Sequence, residues 1–215
     1  MQNARDLLFE IGQDRFISVL DLTKGYWQIP MKDEAKPLTA FVTHSRHYQW
    51  KVMSFGMKNA GSTFQKSMDF SLLLHRKYCR SYIDDVAIYS TNWDEHLDHI
   101  AKVFKSLQEV GLKVNLKKCA FGRKSVKFLG HIVGSGKHSP DPEKVAWMHV
   151  ETKTALKEQR RISTRNYSIS VSNNEHSVFV LHINHVQEKD RGSYMCQVGT
   201  LPMLYQIGYL DVLGK

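Results

Sequence analysis

"YIDDVAIYS", residues 82–90, sets two adjacent carboxylates, Asp84 and Asp85, at the bend between two short runs of β-favouring residues. Like charges side by side repel, and Asn-Gly or Asp-Gly would turn two strands at lower cost. Two readings fit the nonapeptide alone. Aspartate is a common turn residue, so the pair suits a solvated hairpin. Convergent carboxylates also suit a divalent cation, whose charge neutralises their repulsion.

The flanking sequence supplies the context. FISVLD (16–21) reads as a buried strand ending on Asp21, and TAFVTH (39–44) with HYQWKVM (47–53) reads as a strand pair. A helix is expected from Asn59 through AGSTFQKSMDFSLLLHRK. After the hairpin, Trp93, Leu97, Ile100, Phe104 and Leu107 recur at helical spacing, Asn92 and Glu95 suit an N-cap and N3, and Gly111 suits the stop. LKVNLKKC (112–119) and VKFLGHIVG (126–134) read as further strands, and GSGKHSPDP (134–142) reads as a boundary. The order strand, helix, hairpin, helix predicts an antiparallel sheet that brings Asp21 beside the tip carrying Asp84 and Asp85, a site for two metal ions. His96 and His99 lie at i, i+3 on the second helix, but no third ligand accompanies them, and they read as solvated side chains.

The chain of 215 residues carries a formal net charge of +9, which favours a polyanionic partner. Residues 1–145 hold 22 Lys/Arg against 15 Asp/Glu, and residues 146–215 hold 8 against 6, so the basic character belongs to the first part. Three scattered cysteines exclude a disulfide framework or a zinc ribbon. No run approaches the roughly 18 apolar residues of a membrane span, and the N-terminus lacks a signal-like apolar core; an intracellular location, cytoplasmic or nuclear, is expected. After residue 145 the text changes: ISTRNYSISVSNN and SVFVLHINHV alternate at period two, with SYMCQVG and GYLDVLG as further short strands.

SVLDLTKGYWQIPM, FGMKNAGSTFQ, YIDD, GLKVNLKKCAF, VKFLGHIVG and SPDPEKV, in that order, resemble the polymerase motifs of a gypsy-type retrotransposon reverse transcriptase over roughly residues 4–145. The resemblance implies an RNA-directed DNA polymerase palm with part of the fingers in residues 1–145, an antiparallel sheet with packed helices. It makes Asp21, Asp84 and Asp85 the catalytic triad, with the Leu22 carbonyl completing a shell for two Mg²⁺ ions, or Mn²⁺ in their place. Tyr26 corresponds to the aromatic steric gate, and Phe55, Gly56 and Gln65, with Asn59, to the motif that meets the incoming nucleotide and template. Lys118 corresponds to a lysine that assists pyrophosphate departure, and Phe128, Leu129, Gly130 and His131 to the turn that grips the primer. The implied partners are an RNA or DNA primer-template and deoxynucleoside triphosphates. Gly61 stands where the family usually has proline. The match starts after the basic fingers segment and stops before any thumb, so weak or absent turnover is expected.

VAWMHVETKTAL, YSISVSNNEHSVFVLHINHVQEKDRGSYMCQVGT and GYLDVLG resemble strands C to G of a variable-type immunoglobulin domain of lachesin-like adhesion proteins. That makes residues 146–215 an incomplete all-β sandwich with Trp147 as core tryptophan, Asp190 and Tyr194 in the tyrosine corner, and Cys196 as a disulfide cysteine without its partner. Ser168 occupies the place expected for an arginine pairing with Asp190, and Asn166-Tyr167-Ser168 is a glycosylation sequon. The fold class expected for the whole is α+β. Three functions stay open: a polymerase fragment, an immunoglobulin-type adhesion or binding module that reaches a protein partner, and a non-functional fusion of a transposon fragment with a partial exon.

Overall fold

The computed structural model describes residues 4–158, 161–162, 169–173, 178–200 and 203–212. Its first part is built on strand β1 (Phe16–Asp21), preceded by helix α1 (Ala4–Gly12). A short pair follows, β2 (Phe41–Val42) with β3 (His47–Tyr48), then α2 (Ala60–Ser71), the hairpin β4 (Cys79–Tyr82) and β5 (Asp85–Ser90), α3 (Trp93–Glu109) and β6 (Ala120–Arg123). The central sheet runs in the order β4-β5-β1-β6, with β1 antiparallel to both neighbours.

Alternation along the strands sorts the side chains into two cores. Ile17, Val19, Ala87 and Tyr89 face one side, against Leu7, Leu8 and Ile11 of α1. Leu20, Val86 and Ile88 face the other, against Phe64 and Met68 of α2 and Val103 and Leu107 of α3. Helices on both faces explain why the strands read as nearly continuous apolar runs. Helix α1 was not expected; it buries Ala4, Leu7, Leu8 and Ile11 and leaves Phe9 exposed.

Helix α3 has the predicted ends. The Asn92 side chain accepts from the Asp94 N–H at 2.9 Å. At the other end Gly111, at φ +75°, donates to the Gln108 carbonyl, and the Leu112 N–H reaches back to Leu107, closing a Schellman turn.

Five expectations are corrected. The helix expected from Asn59 through residue 77 ends at Ser71, and Leu73–His75 is a 3₁₀ turn. The pairing over residues 39–53 shrinks to Phe41–Val42 with His47–Tyr48. LKVNLKKC forms no strand: Val114 makes a single bridge to Leu22, and Leu116–Lys118 is a 3₁₀ turn. The strand comes later, as β6, because Ala120 and Arg123 are the residues that reach the free edge of β1. VKFLGHIVG breaks at Leu129 and Gly130, both at positive φ, into β7 (Ser125–Phe128) and β8 (His131–Gly134). The supposed boundary stretch contributes β9 (Lys137–Pro140), which pairs with β8.

The second part holds β10 (Val145–His149), β11 (Thr154–Glu158), β12 (Arg161–Ile162), β13 (Ile169–Asn173), β14 (Phe179–Ile183), β15 (Gly192–Val198) and β16 (Leu204–Leu210). One sheet runs β12-β11-β10-β15-β16 and a second pairs β13 with β14. Leu156, Ile169 and Tyr194 are buried between them beside Trp147, Leu181 and Ile183. The Tyr194 hydroxyl donates to the Asp190 carbonyl at 2.7 Å, the predicted corner. Cys196 lies opposite Trp147 and is a free thiol that burial pushes up from its ordinary range. The Ser168 and sequon expectations lie outside the described residues.

The two parts meet at glycines. The Gly199 N–H donates to the Lys144 carbonyl at 2.8 Å, and a Cβ placed on Gly130 would lie 2.4 Å from the Gly199 oxygen. Among the described residues, no helix is long and apolar enough to cross a membrane.

Candidate active site

Strand register builds the site. In the antiparallel pairing of β1 with β5, Asp21 falls directly opposite Asp85. Just beyond, the Leu22 N–H donates to the Asp84 carbonyl at 3.1 Å, so the chain leaving β1 is fastened to the hairpin turn. Asn115 clamps the same end from the other side, its N–H donating to the Asp21 carbonyl at 2.8 Å. The sequence-distant carboxylates thereby share one end of the sheet.

The 3₁₀ turn that replaces the expected strand has a consequence here. It carries Lys118, whose ammonium lies 3.5 Å from the Asp21 carboxylate. Asp84 is exposed, whereas Asp21 and Asp85 are half-buried. Burial first, then the negative charges of Asp84 and Asp21, push the Asp85 carboxyl up to about 6, against a smaller opposing pull from Lys118. Three oxygen-only donors that repel one another are the chemistry that a hard divalent cation satisfies. The side chains are not drawn into a finished cage: among the described residues, no group of three or more His, Cys, Asp or Glu side chains is close enough to hold a metal ion as it stands.

Tyr26 borders the carboxylates. Its ring packs edge-on against Phe64 at 5.5 Å and Phe55 at 5.0 Å, and burial, with a contribution from Asp84, raises its hydroxyl. Gly25 lets this segment pass: a Cβ there would meet Phe64 at 3.0 Å and Asp84 at 3.3 Å.

A protein-family model described as "Reverse transcriptase (RNA-dependent DNA polymerase)" matches residues 1–133. The chain belongs to the reverse transcriptase family. An immunoglobulin domain model matches residues 135–207. The retrovirus-related Pol polyprotein from transposon 297 of Drosophila melanogaster is 42% identical over 144 residues, 66% of this chain and 14% of that protein. The enzymatic polyprotein of cauliflower mosaic virus (strain NY8153) is 36% identical over 140 residues, 65% of this chain and 21% of that protein. The chain thus spans between about a seventh and a fifth of these relatives. A foamy viral protease-reverse transcriptase in complex with double-stranded DNA superposes with a TM-score of 0.62 at 28% identity, covering 66% of this chain and 25% of that one.

The other residues singled out in this reverse transcriptase sequence fall into three places. Phe55, Gly56 and Asn59 are exposed on the approach to α2, Gly56 at φ +86°. Phe128 and Leu129 are buried against α1, Gly130 forms the turn, and the His131 ring bonds the Leu129 carbonyl at 3.1 Å. Gln65 is 7% exposed and points into the protein, where its amide is bonded to the hairpin.

The sequence suggested solvated side chains for His96 and His99; His96 is instead buried and His99 is half-buried. His96 is fully buried between Ser18 at 2.8 Å and Ser90 at 3.0 Å, and Ser90 also bonds His99 at 2.8 Å. Ser18 in turn accepts from the Gly122 N–H, which ties β6 to this seam. The spacing of two histidines on a helix carries no sign of serine partners on separate strands.

Proposed function

We propose that residues 1–145 act as the palm of an RNA-directed DNA polymerase, a nucleotidyltransferase, and that residues 146–215 form a separate immunoglobulin-like domain. The observation that carries this reading is the placement of Asp21 across from Asp85, with Leu22 fastened to Asp84. Asp21, Asp84, Asp85 and the Leu22 carbonyl are the groups that would hold Mg²⁺, or Mn²⁺. The chemistry two such ions supply when bound is a lowered pKa for the primer 3′-hydroxyl and charge stabilisation on departing pyrophosphate. In this reading Asp85 must give up its proton for the site to load, which its raised pKa opposes below about pH 6.

The remaining roles follow from position. Lys118, already at the carboxylate cluster, neutralises charge on the departing phosphates. Tyr26 stands beside Asp84 and crowds the 2′ position of an incoming nucleotide, favouring deoxynucleoside triphosphates. Phe55, Gly56 and Asn59 are exposed for template and nucleotide, and the Leu129-Gly130 turn with Phe128 and His131 supports the primer end. Primer-template binding draws on the positive balance of residues 1–145 and weakens with salt.

Extension of a DNA primer on an RNA template tests the reading. Mg²⁺-dependent incorporation that Asp84→Asn abolishes is expected. Incorporation unaffected by Asp84→Asn refutes it. A second role, protein binding by the immunoglobulin-like part, is favoured by the intact Tyr194 corner.

A further inference from the structure

The turn read above as support for the primer end is not open to solvent. Phe128 and Leu129 are buried in the core with α1, and Gly130 and His131 are half-buried. What covers Gly130 comes from the immunoglobulin-like part. The loop leaving β15 lies so close that a Cβ on Gly130 would fall 2.4 Å from the Gly199 oxygen and 3.1 Å from the Thr200 Cα. Thr200 is itself only 3% exposed. The linker between the parts adds to the contact: the Asp141 N–H donates to the Gly130 carbonyl at 2.9 Å, and Lys127 of β7 pairs with Asp141 at 3.0 Å and with Glu143. Backbone thus packs on backbone, a fit that a side chain at 130 would break.

We propose that the Gly199-Thr200 loop is an autoinhibitory cover: it occupies the Leu129-Gly130 turn, and a primer-template duplex must displace it to seat on the palm. This rests on the reading of residues 128–131 as the support for the primer end. The loop carries no charge, so it excludes the duplex by volume and not by repulsion. It is also weakly held. Contacts between parts of one chain are commonly small enough to move, and the ion pairs of Lys127, whose side chain is 56% exposed, add little to this one. A duplex that binds only the uncovered form has its apparent affinity lowered by the fraction uncovered.

Thr200→Glu in the full chain tests this, because a carboxylate in that buried place must reach water and lift the loop. Its charge opposes nucleic-acid binding, so a gain in affinity cannot come from new attraction. Fluorescence anisotropy of a labelled DNA primer on an RNA template gives the affinity, and amide hydrogen exchange in the peptide spanning the β7–β8 turn gives its exposure. Thr200→Glu is expected to speed exchange at that turn and to bind the duplex about tenfold tighter, the gain for a turn uncovered about a tenth of the time. Gly199→Ala, whose Cβ meets Lys144 at no less than 3.5 Å, is expected to match the parent. If Thr200→Glu melts the immunoglobulin-like part, seen as lost protection in β10 and β15, Lys127→Met takes its place with the same expectations. Faster exchange with unchanged or weaker affinity overturns the proposal, as does unchanged exchange. The bound duplex should protect the β7–β8 turn. Tighter binding that leaves the turn unprotected upholds the cover and refutes the primer-end reading instead.

Discussion

Replacing Asp85 with asparagine should stabilise the metal-free protein while removing a residue its proposed chemistry needs. Burial and the charges of Asp84 and Asp21 raise the Asp85 carboxyl from 3.8 to about 6, a shift of about two units. At about 1.4 kcal/mol per unit, the ionised side chain costs the fold about 3 kcal/mol at neutral pH. The sign follows from proton binding. The folded state keeps the proton between the unfolded value near 3.8 and the folded value near 6, so stability from this group is greatest below that window and lost as pH rises through it. Asparagine mimics the protonated form at every pH. Asp85→Asn should therefore melt about 6–12 °C above the parent at pH 7.5 in chelator, from about 2–4 °C per kcal/mol for a chain of this size. The gap should nearly close at pH 4, where the parent carboxyl is protonated in the fold. Thermal melting of both proteins across pH 4–8 measures it, and pH effects from other groups cancel in the difference. An Asp85→Asn protein that melts no higher at pH 7.5, or that keeps its full lead at pH 4, refutes the electrostatic argument.

Gly130→Ala should destabilise the chain by at least about 1–3 kcal/mol, because the residue sits at φ +75° and its new Cβ would fall 2.4 Å from the Gly199 oxygen; chemical denaturation measures this, and an unchanged midpoint counts against the contact between the two parts. Ser18→Ala leaves the His96 Nε2 and the Gly122 N–H without their partner, and should cost about 1–3 kcal/mol in the same assay. Burial, then His99, holds His96 below its ordinary value, so this group binds its proton more readily in the unfolded chain and its contribution to stability falls as pH drops below about 6.5. His96→Asn should flatten that slope relative to the parent between pH 6.5 and 5, and an unaltered slope contradicts it. Native thiol titration should label Cys119 and Cys196 well before Cys79, which is 1% exposed and whose thiol burial pushes up to about 12; equal rates would mean that the sheet opens readily.

The parts of the fold that could be read in the sequence are those set by periodic burial, and the parts that could not are those set by where polar groups find partners. FISVLD and VAIYS announce a sheet because nearly every residue must meet a core on one face or the other, and the alternation of faces also fixes the side on which Asp21 and Asp85 emerge. Helix α3 is legible for the same reason, with Asn92 and Gly111 marking its ends. LKVNLKKC alternates just as well, yet its backbone is spent differently: Thr23 and Asp21 take the Lys113 carbonyl and the Asn115 N–H in single bonds, and the chain then coils into the turn that delivers Lys118 to the carboxylates. A strand there would have carried Lys118 along the sheet instead. Gln65 and His96 pose the same problem with side chains. Each is polar and stands on an amphipathic helix, where exposure is the natural expectation. Each is buried because distant strands supply complementary atoms, Ser81 and Ile83 for one and Ser18 and Ser90 for the other, and no local spacing encodes that match. A buried amide or imidazole is tolerable only with its bonds made, so these two positions are where the tertiary structure, and not the helix that bears them, decides the residue.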